Sequence, residues 1–140
     1  MPGVRRVAPD AGTFAWATAR DPDMLKIMAF LTKRQDIATR AFIEYYEENH
    51  VPLIRSLAPT PIGYKRNYLV RGDEFNIEDA SIDFDVVTEL VFPDRAAYVA
   101  WGAQLSESTD GEPVISEDEL KFLDRSRTRA YVVEEHVTPE

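Results

Sequence analysis

A chain of 140 residues, 44% hydrophobic and 29% charged, has the length of one domain with one sizeable core and the composition of a soluble globular protein. It contains no cysteine, which excludes disulfides, thiolate catalysis and cysteine-ligated metals, and it has no apolar run of the roughly 18 residues needed to span a bilayer. Its net charge of −9 repels phosphate backbones and anionic membranes, so neither nucleic acid nor a membrane is an expected partner; no export signal opens the chain, and the expected location is cytoplasmic.

Residues 1–22 are punctuated by Pro2, Gly3, Pro9, Gly12 and Pro22 and show no sustained period, which predicts an extended arm ahead of a single domain at 23–140. Phe14 and Trp16 are large apolar groups in that arm, so it is expected to lie on the domain or on a partner subunit. Met24–Lys33 alternates with apolar groups on both faces: Leu25, Ile27, Ala29 and Leu31 on one, Met28 and Phe30 on the other. That pattern predicts a central strand covered on both sides.

Arg34, Gln35 and Asp36 turn the chain, Thr39 is the expected N-cap, and a helix is predicted from about Arg40 to Leu57, ahead of Pro59 and Pro61. At about 100° per residue, Phe42, Tyr46, Asn49, His50, Leu53 and Leu57 share its core-facing stripe, while Glu44, Glu47, Glu48 and Arg55 fall outside it. Pro52 has no N–H and is expected to weaken or bend the helix just after His50. His50, one of two histidines, thus stands on the apolar stripe, either lining a pocket or as a hydrogen-bonded core residue.

Gly63 precedes a second strand, Tyr64–Arg71, with Tyr64, Arg66, Tyr68 and Val70 on one face and Lys65, Asn67, Leu69 and Arg71 on the other. Residues 72–82 form an acidic loop long enough to be a lid or an interface element. The third strand is Phe84–Phe92, with Asp85 and Glu89 among valines on one face. Asp94 is the expected N-cap of the next helix, which surrounds Tyr98 and Trp101 with alanines. Ser116 is expected to cap a short helix with Glu119 at the capping-box position, docked by Leu120, Phe122 and Leu123. Arg127–His136 is the last strand. The order β-α-β-β-α-β builds two split β-α-β units into one four-stranded antiparallel sheet with its helices on one face. The apolar second face of the first strand then predicts a homodimer with sheet against sheet.

These segments resemble the EthD-domain family. The resemblance rests on Leu25–Lys33 followed by Phe42, Tyr45, Tyr46, His50, Pro52 and Leu53, then Tyr64, Arg66, Asn67 and Tyr68. It continues with Phe84, Asp85, Glu89, Leu90 and Phe92, and ends with Glu119, Phe122, Leu123 and Asp124. The arm at 1–22 and the loop at 72–82 lie outside it. The resemblance implies a ferredoxin-like fold that dimerises into an α+β barrel, with a pocket between helices and sheet. It also implies a hydrophobic, often aromatic polyketide-like ligand, and relatives that include lyases and decarboxylases.

Within that frame His50 is the leading acid/base candidate, because imidazole titrates near working pH. Asp85 is the candidate to orient it or to act as base itself; the competing reading is an ion pair with a strand neighbour such as Arg66 or Arg129. Glu89 reads as a strand-to-strand salt bridge. Tyr46, Tyr64 and Asn67 are candidate donors to a developing oxyanion, and Trp101 is a further substrate-binding candidate whose competing role is packing. His50 and His136 have no short ligand spacing with Asp85 or Glu135, so no metal is expected. With no phosphate-binding glycine loop and no dinucleotide fingerprint, no cofactor is expected either. Two functions stand open: a cofactor-independent lyase, decarboxylase, isomerase or oxygenase acting on a hydrophobic cyclic or aromatic molecule, and a non-catalytic small-molecule binding or accessory protein.

Overall fold

A computed structural model describes residues 23–140. The expected arm, with Phe14 and Trp16, lies outside the described residues. Four strands form one antiparallel sheet in the order β2-β3-β1-β4. They are β1 (Leu25–Leu31), β2 (Gly63–Tyr68), β3 (Val86–Phe92) and β4 (Arg129–Val133). The strand with two apolar faces is β1, and it lies between β3 and β4 as its pattern required. The chain returns from β1 to β2 through α1 (Thr39–Tyr45), a π-helical turn (Tyr46–His50) and α2 (Val51–Leu57). It returns from β3 to β4 through α3 (Arg95–Ser108), the short α4 (Val114–Glu119) and a 3-10 turn at Arg125–Arg127. Each return skips one strand, which is the split β-α-β arrangement of the ferredoxin-like fold.

Alternation sorts the sheet into two faces. Ala29, Leu31, Val86, Tyr64 and Tyr68 meet the helices, where Phe42, Tyr46, Val51, Phe122 and Leu123 complete the core. Lys26, Met28, Phe30, Val87, Glu89, Val91, Tyr131 and Val133 point to the other, outer face. There Lys26 Nζ binds Glu89 at 2.9 Å and Glu135 at 2.7 Å, so the expected strand-to-strand bridge of Glu89 is present. Burial disfavours the Lys26 ammonium, but its bonds to Glu135 and Glu89 outweigh that and raise its pKa.

The predicted helix over 40–57 is continuous, and its irregularity is sharper than a proline bend. Val51 N–H donates to the Tyr46 carbonyl, an i→i+5 bond. A regular α-helix would press the Pro52 ring on the carbonyl of Glu48, so the extra residue inserted ahead of Pro52 relieves that clash. The insertion also re-phases the helix. Residues 42, 46, 50, 54 and 58 are all buried, although a four-residue step in a regular helix drifts by about 40°. The inserted residue cancels most of that drift. The core-facing set is therefore Phe42, Tyr46, His50, Val51, Ile54 and Ala58. Asn49 is exposed and Leu53 and Leu57 are half-buried, which corrects the stripe read at a constant period.

Cap positions differ in detail. Ala38, not Thr39, precedes the first helix and makes no side-chain cap bond. The short α4 begins two residues before Ser116, whose hydroxyl donates to the Pro113 carbonyl instead of capping. Asp94 caps α3 as expected, accepting from Ala97 N–H at 2.7 Å. Asp94→Ala is therefore expected to cost about 1 kcal/mol of stability, read as a lower denaturant midpoint with an unchanged slope.

Candidate functional site

The π turn and α4 build one buried polar centre on the helix side of the sheet. His50 is 5% exposed, with its ring among Tyr46 (5.6 Å between centroids) and Phe122 (5.0 Å). Its Nδ1 lies 2.8 Å from Asp118 Oδ2, and the Tyr45 hydroxyl donates to Asp118 Oδ1 at 2.5 Å. In a regular α-helix Tyr45 and His50 would point about 140° apart. The i→i+5 geometry closes that gap and lets both reach one carboxylate.

Charge fixes the tautomer. Burial pushes the Asp118 carboxyl up, but bonds from Tyr45 and His50 outweigh it and hold its pKa below the ordinary value. An ionised carboxylate only accepts hydrogen bonds, so the proton of neutral His50 sits on Nδ1 and Nε2 carries the lone pair. Glu119 Oε2 is 3.9 Å from Nε2, too far for a hydrogen bond, and its other oxygen accepts from Arg125 Nε at 2.9 Å. An imidazolium formed at Nε2 thus stands between two carboxylates.

Tyrosines line the rest. Tyr46 O–H shares a 2.8 Å hydrogen bond with Thr88 Oγ1. Burial raises the pKa of Tyr46 well above its ordinary value, and Tyr64, which interacts with Tyr46 and Glu119, is also raised by burial. Burial, then the bond to Asp118, pushes Tyr45 up to about 12. All three remain protonated donors at neutral pH. Arg66 forks onto Glu47 at 2.9 and 2.7 Å and lies 4.7 Å over the Tyr64 ring, while Tyr68 O–H donates to Glu47 at 2.5 Å. That network fixes the Tyr64 side of the site.

Of the residues singled out from sequence, His50, Tyr46 and Tyr64 come together. Asp85 does not join them: it accepts from Lys33 N–H at 2.9 Å and pairs with Arg71 at 3.4 Å, at the start of β3. The group that orients His50 is Asp118. Asn67 points to the outer face, donating to the Val87 carbonyl and to Glu89 Oε2. The sheet separates it from His50. Trp101 packs on Phe92 with centroids 5.4 Å apart, beside Pro59, Pro61 and Ile62, in a groove distinct from the His50 centre. His136 bonds Glu134 on the exposed stretch after β4, and among the described residues no cluster of three or more His, Asp or Glu is placed to hold a metal. Asp118, Glu119 and Tyr45 were not among the site residues expected from sequence, although Tyr45 and Glu119 are among the residues that carry the family resemblance. The first two sat inside an apparent capping box, and the spacing of Tyr45 from His50 is informative only once Pro52 is read as forcing a π turn.

A family model described as the EthD domain matches residues 34–126. No curated protein sequence matches the chain. A crystal structure of an EthD family protein from Bacillus halodurans is 23% identical, with TM-score 0.54, covering 81% of this chain and 99% of its own. A hydroxynitrile lyase from Passiflora edulis is 13% identical, TM-score 0.50, covering 84% and 99%. A dimeric ferredoxin-like protein from Thermobifida fusca is 9% identical, TM-score 0.52, covering 79% and 90%. At these identities the neighbours share the fold, which agrees with the β2-β3-β1-β4 sheet. The matched span takes in the π turn with His50, the three tyrosines and the α4 carboxylates, and the chain belongs to the EthD domain family.

Proposed function

We propose that the protein is an enzyme that moves a proton on a hydrophobic cyclic or aromatic small molecule, with His50 as the shuttle. One observation carries this reading: a buried imidazole whose Nδ1 is pinned by Asp118 at 2.8 Å, so that the lone pair is confined to Nε2. A base needs that fixed tautomer and orientation. Nε2 would accept a proton from an acidic C–H or O–H of the substrate, and Asp118 and Glu119 would stabilise the resulting cation. The Tyr64 and Tyr46 hydroxyls would donate to the enolate or phenolate oxygen. The same imidazolium can return the proton, which suits a lyase, decarboxylase or isomerase. The lyase among the structural neighbours supports this by analogy of fold alone. In the same reading the protein works as a homodimer whose outer sheet faces meet, since that face carries Met28, Phe30, Val87, Val91 and Tyr131.

Native mass spectrometry of the purified protein identifies the co-purified ligand, and turnover of that compound is then measured for wild type and His50→Ala. The expected result is a fall in kcat of about 10²–10⁴-fold with ligand binding retained. Turnover that survives the substitution removes His50 from the chemistry. Wild-type protein that binds the compound and never transforms it supports a binding or accessory protein instead.

A further inference from the structure

We propose that the loop between β2 and β3, residues 71–83, is an assembly arm that presses Phe75 and Ile77 onto the outer sheet face of a second copy of this chain. The inference rests on the homodimer included in the proposed function. Phe75 is 88% exposed and Ile77 is fully exposed. Loop tips normally carry small polar residues; here two large apolar groups stand out into water beside the loop's own polar groups.

Local hydrogen bonds shape the display. Phe75 N–H donates to Asp73 Oδ1 at 2.9 Å, and Asn76 N–H to the Asp73 carbonyl at 3.0 Å. Asn76 Nδ2 bridges the Val70 carbonyl and Glu78 Oε2, each at 2.7 Å. Gly72, at φ +80°, makes the turn and donates to Glu78 at 2.5 Å. Arg71 bonds the Phe84 carbonyl, and Arg127 pairs with Asp83 at 3.0 Å, fixing both ends. A loop ordered in this way loses little entropy when its two apolar groups are buried by a partner.

The chain itself supplies the complementary surface. Phe84, at the base of the loop, meets Phe30 at 5.1 Å, and Phe30 meets Tyr131 at 6.2 Å, an aromatic row that continues across the outer face. Tyr131 is 59% exposed. The edges of that face carry two cations: Lys65 on β2, set across from Glu89, and Arg129 on β4, whose Nη1 donates only to the backbone oxygens of Ser126 and Thr128 among the described residues. The loop brings Asp73, Glu74, Glu78 and Asp79. Two copies of a chain with net charge −9 repel one another at long range, so an acidic arm set against these cations is what assembly requires locally. Each copy holds both arm and floor, which closes a two-fold dimer.

The test is sedimentation velocity over a concentration series for wild type, Phe75→Ser/Ile77→Ser, and Tyr131→Glu. In a single copy Phe75 and Ile77 stand in water, so the double variant keeps its circular dichroism spectrum. Its dimer dissociation constant is expected to rise by about 100-fold or more. A double variant that dimerises like wild type, while Tyr131→Glu is monomeric, overturns the arm and leaves the sheet-to-sheet dimer standing. Wild type that stays monomeric throughout overturns both.

Discussion

Replacing Phe122 with alanine is expected to lower the melting temperature by about 10 °C or more and to weaken the His50 centre in the same step. Phe122 is completely buried. Its ring lies 5.0 Å from His50, 5.2 Å from Tyr46, 5.3 Å from Tyr45 and 5.9 Å from Phe42. Truncating such a phenylalanine costs about 3–5 kcal/mol, from lost transfer free energy and the cavity left behind. For a domain of this size each kcal/mol shifts the melting point by about 2–8 °C. The loss reaches the site because Phe122 also positions α4. Its carbonyl accepts from Arg34 N–H at 3.0 Å, and Lys33 bridges to Leu123, tying the end of α4 to the chain leaving β1. Asp118 sits on that helix, so a cavity at 122 frees the carboxylate that orients His50. Thermal melts and the chemical shift of the His50 imidazole, recorded together, check both halves. A variant that loses less than about 1 kcal/mol and leaves the His50 resonance in place would show that the ring is not the wall described here.

The fold was legible because its signals are periodic and local. Two apolar faces on Leu25–Leu31 placed β1 inside the sheet, and Asp94 before an alanine-rich run marked the start of α3. The same alternation carried a warning about Asn67. Tyr64 and Asn67 are three residues apart on one strand and so point to opposite faces, which excludes them from one pocket on spacing alone. Asp85 and Asp118 are harder. Both are acids near apolar segments, and nothing local tells an acid that receives Lys33 N–H from one that receives His50. The distinction depends on where α4 docks, a contact 68 residues from the histidine it serves. The π turn is intermediate: Pro52 announced a disturbance, but whether the helix bends after His50 or inserts a residue before it was decided by the need to bury Phe42, Tyr46, His50, Ile54 and Ala58 on one line.

Asp118→Asn is expected to separate the electrostatic role of this carboxylate from its bulk. The side chain keeps its shape but has one acceptor oxygen, while Tyr45 O–H and His50 Nδ1–H each require one. One of them must then face an amide N–H. The stability loss at neutral pH is about 1–3 kcal/mol, the cost of a buried donor without a partner. The pH dependence gives the sign. Folding lowers the Asp118 pKa from its ordinary value of 3.8, because the bonds from Tyr45 and His50 outweigh burial. A depressed carboxylate pKa contributes stability that is fully present above the unfolded value and is lost as pH falls through the folded one. The part of the gap owed to the ionised Asp118 should therefore shrink as pH falls below about 4. If Tyr45 keeps the remaining oxygen, the amide N–H faces Nδ1, and the favoured tautomer moves the imidazole proton to Nε2. The base proposed for catalysis is then already occupied, and turnover of the identified substrate falls by about 10²–10⁴-fold, with KM changed much less than kcat. Melting curves for the two proteins that run parallel from pH 7 to pH 2 would show that Asp118 is not an ionised acceptor in the folded protein, and the tautomer assigned to His50 would lose its basis.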